Sequence, residues 1–313
     1  MSGRGQPAPL FIGGTGRCGT TALGKAFGRH LEVAKLPRKP RIVTDPGGIL
    51  DLVESTSSKW GPFRADRALY EFEYIWNELR SDTNGRYQGH KMERWIGEEK
   101  WEELIENLKD DFIHHKSSGK WLGSPPGRNE IYEVEHRHHM DVQQSARQFM
   151  QELFEHLNWN ARFWVDDTPY SVQHLKELWR IFPGMKMIHI HRHPLEVLYS
   201  YQKIRRGNYM WVSDDVVANA RRIRGIYEGW IQQLHTTMDA QEVARDVKLQ
   251  DLVDEPVNML GKMCEFVGIE YQSEMAEEIN SDEVSNIRFI PSEDKDEVYE
   301  ILEPVAEWYG YEL

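Results

Sequence analysis

The sequence predicts an α/β fold with a central parallel sheet flanked by helices, and a helical insertion within it. Three observations carry this expectation. A short apolar run, Leu10-Phe11-Ile12, meets a glycine-rich turn, GGTGRCGTT, and then a segment of helical composition. Two later runs of strand character, Arg162 to Val165 and Met185 to His191, are each followed by helical sequence. Before these two runs, from about residue 58 to 160, Trp, Tyr, Glu and Arg recur at helical spacing and strand-like runs are scarce.

In chain order, MSGRGQPAP is polar and rich in Gly and Pro, so residues 1–9 read as a flexible N-terminus. After the first strand and turn, Leu23, Ala26 and Phe27 give Ala22 to His30 the spacing of a helix. The turn Asp45-Pro46-Gly47-Gly48 caps a short helix around Ile49 to Glu54. Helical patterns follow at Asp66 to Leu79, Glu98 to His115 and Arg137 to Leu157. Between the last two, KSSGKWLGSPPGRNE (Lys116 to Glu130) reads as a long loop, and loops of that length are commonly functional. The insertion is therefore expected to cover a site. A further strand is expected at Asp246 to Leu249, then helices at Val257 to Val267 and Asp294 to Trp308. No linker forces a boundary, so residues 1–313 are expected to form a single domain.

Composition narrows the function. The 313 residues carry 38 Lys and Arg against 51 Asp and Glu, a net charge of -13. An acidic chain is a poor general binder of nucleic acid or anionic lipid, which leaves a local basic pocket for a small anion. Two cysteines, Cys18 and Cys264, make neither a disulfide framework nor a Cys-rich zinc site. No apolar run approaches the ~20 residues of a membrane helix, and no signal-peptide pattern opens the chain. A cytoplasmic protein is the resulting expectation.

Residues Gly14 to Thr21, G-T-G-R-C-G-T-T, have phosphate-loop spacing between a strand and a helix. Glycines let backbone N–H groups approach phosphate oxygens, and a helix N-terminus adds about half a positive charge. Where a nucleotide triphosphatase carries Lys then Ser or Thr, this chain has Thr20 and Thr21, with the cation earlier, at Arg17. A γ-phosphate would lose its main charge partner there. An arginine inside the loop suits one phosphate joined to another anion. A second element follows the strand ending at His191: Arg192, then Pro194 in the first turn of a helix, then Ser200. An arginine at a strand end and a serine about two turns on can hold one phosphate between them.

Together the two elements resemble the sulfotransferases that use 3′-phosphoadenosine 5′-phosphosulfate (PAPS), whose fold is of the P-loop type. Arg17-Cys18-Gly19-Thr20-Thr21 is similar to their 5′-phosphosulfate loop, and Arg192, Pro194 and Ser200 to their 3′-phosphate signature. The likeness extends through GGTGRCGTTAL, the DPGG turn, the Thr-Pro after Val165, and the EFVGIE and WYGY segments near the end. It implies sulfuryl transfer from PAPS to a hydroxyl or amine, with 3′-phosphoadenosine 5′-phosphate (PAP) as product and no metal. It implies that Arg17, Gly19, Thr20 and Thr21 bind the phosphosulfate, and Arg192 and Ser200 the 3′-phosphate. Cys18 stands in place of the family's usual serine, so backbone amides carry most of that contact.

Two positions depart from the pattern. Many relatives place a glutamate base shortly before the DPGG turn, where this chain has Lys39. Relatives also often have Glu-Lys-Thr-Pro after the next core strand, and this chain has Asp166-Asp167-Thr168-Pro169. One reading is a charge exchange, with Asp167 taking the acceptor's proton and Lys39 stabilising charge on the sulfate and leaving phosphate. The other is that the two residues pair on the surface or bind the acceptor.

Other candidates are weaker. His90, Lys91 and Asp45 lie near segments that line a cleft in this reading. The run Glu135-His136-Arg137-His138-His139 suggests metal ligation, but with no thiol and no second ligand pair it reads as a solvated helix end. His189, His191 and His193 alternate along a strand end, which suits core hydrogen bonding or a nucleotide pocket. Trp60, Trp76, Trp95 and Trp101 read mainly as helix packing, and Trp121 as the best aromatic acceptor platform. Lys203, Arg205 and Arg206 either extend the basic pocket or compensate a helix dipole. Two alternatives stay open: a nucleotide-dependent phosphotransferase, and a noncatalytic nucleotide-binding protein of the same fold. The acceptor remains open among small molecules, glycans and glycolipid headgroups, and the oligomeric state is not legible.

Overall fold

The computed structural model describes residues 7–80, 91–205, 212–279 and 293–313. Five strands, β1 (Ala8–Gly13), β2 (Val33–Lys35), β5 (Phe163–Asp166), β6 (Lys186–His191) and β7 (Ala244–Lys248), form a sheet in the order β2-β5-β1-β6-β7. β1 runs parallel to β6, with Leu10 opposite Lys186 and Gly13 opposite His189, and β6 runs parallel to β7. Leu10, Phe11 and Ile12 are all fully buried, the pattern of a strand covered on both faces. The remaining strands, β3 (Ile113–Ser118) and β4 (Glu130–Val134), pair separately as an antiparallel hairpin.

The helices are α1 (Thr20–Gly28), α2 (Ile49–Thr56), α3 (Pro62–Arg80), α4 (Glu93–Ile96), α5 (Glu98–Phe112), α6 (His139–Leu157) and α7 (Leu175–Ile181). After β6 come α8 (Pro194–Arg205), α9 (Val216–Thr236), α10 (Ala240–Val243), α11 (Leu249–Asp254), α12 (Pro256–Val267) and α13 (Lys295–Trp308). The expected α/β alternation is therefore present, with boundaries shifted by a few residues. Among the described residues, no helix is long and apolar enough to cross a membrane.

The chain divides into two compact units. One is built mainly on residues 32–164 and 177–183. Its core stacks Trp76 on Trp101, with ring centroids 3.8 Å apart, and sets the edge of Phe149 against Trp76. These tryptophans are packing residues, as their helical spacing suggested.

The segment read as a long loop is different. Lys116 pairs with Tyr132 and Ser118 with Glu130, so the connection shrinks to residues 119–129, and α5 stops at Phe112. The sequence of β3, IHHKSS, lacks the apolar alternation that would reveal a strand, because Ile113 is its one apolar residue and His114, His115 and Lys116 are all exposed. What holds the hairpin is Asp66 on α3, which is fully buried. Its carboxylate accepts from both Arg128 nitrogens at 2.9 and 2.7 Å, from Trp121 Nε1 at 2.9 Å and from the Tyr132 amide at 2.7 Å. The Arg128 guanidinium lies over Tyr70 and Tyr132, 4.6 and 4.5 Å from the ring centroids. Trp121, expected as an acceptor platform, is thus an anchor, stacked 5.0 Å from Phe63.

Removing the Asp66 carboxylate leaves a buried guanidinium without its counter-ion. Asp66→Ala is expected to cost about 3–5 kcal/mol of stability. Chemical denaturation checks it, with Asp66→Asn expected to recover only part of the loss, because Trp121 and Tyr132 donate to different carboxylate oxygens and the amide keeps one acceptor.

The second unit holds residues 9–31, 165–176 and 184–313. Leu195, Leu198 and Tyr201 of α8 pack with Ile223 and Tyr227 of α9 and with Val298, Leu302 and Val305 of α13. Asp167, directly after β5, is buried against α1, and the reason is Gly24. A Cβ at position 24 would stand 2.8 Å from Asp167 Cβ and 2.9 Å from its Cγ, so only glycine lets the two segments approach this closely.

Candidate functional site

The glycine-rich turn links β1 to α1, and its backbone is unusual at three positions. Gly16, Arg17 and Gly19 all have positive φ, at 74°, 58° and 101°. For Arg17 this left-handed conformation is strained, and such strain concentrates where the chain must present a side chain or an amide in a set direction. Gly19 is the N-cap of α1 and has no room for a side chain, since a Cβ there would meet Leu249 Cδ1 at 2.6 Å. The first turn of α1 therefore offers its amides without a side-chain cap. Cys18 is fully buried, Thr20 is buried and Thr21 is exposed.

The second element converges on this turn. Arg17 Nε donates to Ser200 Oγ at 3.1 Å, and Arg192 Nη1 donates to the Arg17 carbonyl at 3.4 Å. Arg17, Arg192 and Ser200, far apart in sequence, thus form one cluster. Arg192 is itself buried, as is Glu196 one helical turn on, whose carboxylate accepts from Arg192 Nε at 2.9 Å. Two guanidinium groups against one carboxylate leave the cluster net positive. Behind it, two tyrosines fix the backbones. Tyr201 donates to the Thr15 carbonyl, and the Tyr227 hydroxyl both accepts from the Arg192 amide and donates to its carbonyl at 2.6 Å. Burial raises both phenols well above their ordinary value, so they remain neutral donors.

Sequence alone does not single out Glu196, Tyr201 or Tyr227. Glu196 stands four residues after Arg192 at the start of a helix, and that spacing alone carries the signal of an ion pair. Tyr227 lies 35 residues from Arg192 and carries no such signal.

The strand-end histidines are internal. His189 lies within 2.6 Å of Asp246, which also accepts from Trp230 Nε1. His191 meets the Tyr311 hydroxyl, and His193 the Glu312 carbonyl. Burial, assisted by His189 and Lys248, lowers the His191 value to about 3 against the pull of Asp246. The other candidates fall elsewhere. Lys203 is exposed on α8, where Arg205 is the last residue, and Arg206 and His90 lie outside the described residues. Lys39 and Asp45 belong to the first unit. There Arg41, itself at φ 57°, donates to Asp45 at 3.1 Å. Burial still raises the Asp45 value, opposed by Arg41 and Lys39. In the Glu135–His139 run, His138 caps α6 through the Met140 amide, His139 bonds Ser57 and Gln143, and His136 sits edge-on to Trp60.

With this geometry, family membership is clear. The Sulfotransferase family model matches residues 9–273, and the chain belongs to that family. Its fold is similar to the sulfotransferase domain from the curacin biosynthetic pathway, at 14% identity and a TM-score of 0.53, over 99% of this chain and 100% of that one. It is equally similar to the sulfotransferase domain of the Synechococcus PCC 7002 olefin synthase, at 14% identity and a TM-score of 0.52, over 99% and 97%. No curated protein matches by sequence. A transferase built on a P-loop-like α/β fold is therefore the class of this protein.

The buried neutral His191 has a consequence for stability. In the unfolded chain it titrates near 6.5, so its contribution is complete above that value and is lost as pH falls toward its lowered folded value. Denaturation midpoints are expected to drop between pH 6.5 and 4, with this one group supplying up to about 1.4 kcal/mol per pH unit. His191→Gln should flatten that slope in a pH series.

Proposed function

We propose that this chain transfers a sulfuryl group from PAPS to a hydroxyl, or an amine, of a small-molecule, glycan or glycolipid acceptor. The observation carrying the reading is the convergence of Arg17, Arg192 and Ser200 behind the carboxyl ends of two adjacent parallel strands, β1 and β6. Ligands of open α/β sheets bind at such ends. The residues fit the donor. The turn from Gly14 to Thr21 offers amides and the α1 N-terminus to a 5′-phosphosulfate, and Cys18, with its side chain buried, contributes through its backbone. Arg192 and Ser200 would hold the 3′-phosphate, and Arg17 would lie between the two anionic groups. When bound, PAPS supplies a sulfuryl group already activated on a phosphate leaving group.

The chain's own tasks are then positioning and charge stabilisation. Asp167 follows the carboxyl end of β5 and is assigned the acceptor's proton; Lys39 follows β2 and is assigned the charge that develops on the sulfate and leaving phosphate. A kinase-like reading has less support, because Thr20 stands where the β/γ-phosphate lysine would be. The two buried thiols, Cys18 and Cys264, suit a cytoplasmic setting, where thiols stay reduced.

Calorimetric titration with PAP, using ATP plus Mg²⁺ as the control, tests the donor. Micromolar binding of PAP is expected, weakened at least tenfold in Arg192→Ala. ATP binding at least as tight, indifferent to a 3′-phosphate, would replace this reading with a phosphotransferase. In the same series, Asp167→Asn and Lys39→Ala should retain PAP binding and lose turnover with PAPS. Wild-type turnover in both would remove them from the reaction.

A further inference from the structure

The last residues of the chain return to the β6–α8 junction. Tyr309 stacks on the His191 ring, centroids 4.2 Å apart and 28° between planes. The Tyr311 hydroxyl lies 2.9 Å from His191 Nδ1, and Lys248 covers the Tyr311 ring at 4.8 Å. On the other side of Arg192, His193 makes two bonds at once. Its Nδ1 accepts from the Leu195 amide at 3.2 Å, and its Nε2 lies 2.8 Å from the Glu312 carbonyl. These partners fix the proton. An amide donor at Nδ1 requires a bare nitrogen, and a carbonyl acceptor at Nε2 requires N–H, so His193 is neutral with its hydrogen on Nε2.

Arg192 is therefore bracketed. The residue before it and the residue after it are each tied to the C-terminal segment, and its own amide and carbonyl are tied to Tyr227. His193 also satisfies one of the first amides of α8, the helix that carries Glu196 and Ser200. None of Tyr309, Tyr311 or His193 need touch a ligand to act. What they determine is where the Arg192 guanidinium stands relative to Ser200.

We propose that residues 309–312 form a strap that positions Arg192 and the start of α8 for the 3′-phosphate of the donor, with His193 as the link between strap and helix. Tyr311 and His193 are positioning residues, and the inference rests on the PAPS reading above. Because the strap acts on one phosphate, its loss should be selective. It should weaken a ligand that carries the 3′-phosphate and spare one that carries only the 5′-phosphate.

The full-length protein is titrated with PAP and with adenosine 5′-monophosphate, alongside its melting temperature. The variants are a deletion of residues 310–313, Tyr311→Phe, His193→Asn and His193→Gln. Asparagine places an oxygen near the Nδ1 position and keeps the helix cap; glutamine places its amide near Nε2 and keeps the strap bond. The deletion and both histidine variants are expected to lose about tenfold or more in PAP affinity, and Tyr311→Phe a smaller factor, with the monophosphate changed by less than twofold. Should the deletion fail to fold, the histidine pair gives the same reading. Equal losses on both nucleotides, or unchanged PAP affinity in folded variants, would overturn the strap. If the wild-type protein does not bind PAP at all, the donor reading itself has failed, which is a separate result.

Discussion

The closure of the glycine-rich turn onto α8 is the constraint on which the candidate site depends. Its polar contacts include Arg17 to Ser200 and Arg192 to the Arg17 carbonyl, and each of these two needs a prior condition. Arg17 must adopt a left-handed backbone, which tertiary contacts impose against its own preference. Arg192 must tolerate burial, and Glu196 makes that possible by supplying a buried counter-charge. Tyr201 and Tyr227 then bind the two main chains from beneath, through the carbonyls of Thr15 and Arg192. A cluster set in this way has little freedom left to lose on meeting an anion, and that is the physical meaning of preorganisation.

The same logic explains how a chain of net charge -13 can host an anion site. Global charge governs encounter over distances comparable with the Debye length, roughly 8–10 Å, whereas contact energies are set by the nearest groups. Here those groups are two guanidiniums, one carboxylate and the amide ends of α1 and α8. Acidic residues elsewhere are consumed locally, as in the Asp66–Arg128 pair and the Lys109 contacts with Glu73 and Glu106.

Much of this was legible in the sequence because it is local. The β1 turn announces itself by composition, and Arg192-x-Pro194 marks a strand end and a helix start within three residues. The missing lysine at Thr20 was equally visible. What escaped was non-local or masked by polar residues. Strand β3 reads partly as helix and partly as loop because IHHKSS carries no period-two apolar signal; its pairing with β4 is secured from α3 by Asp66, some 60 residues from Tyr132. Trp121 looked like a ligand platform because it sits among Gly, Ser and Pro, but its indole N–H has a buried carboxylate to satisfy. The strand-end histidines read as core hydrogen bonding or nucleotide-pocket lining, while two of their partners, the Tyr311 hydroxyl and the Glu312 carbonyl, lie about 120 residues further on. The Gly24–Asp167 contact likewise joins segments whose spacing says nothing of their proximity.

The central claim is that Arg17 and Ser200 act as one anion clamp, so a double-mutant cycle on PAP binding is the most direct measurement. Arg17→Ala, Ser200→Ala and the double variant are each titrated with PAP. The account predicts that the two losses are not additive, with a coupling of at least about 1 kcal/mol, because either substitution alone already breaks the shared contact. Losses that add independently, or a Ser200→Ala variant that binds PAP like the wild type, would contradict it.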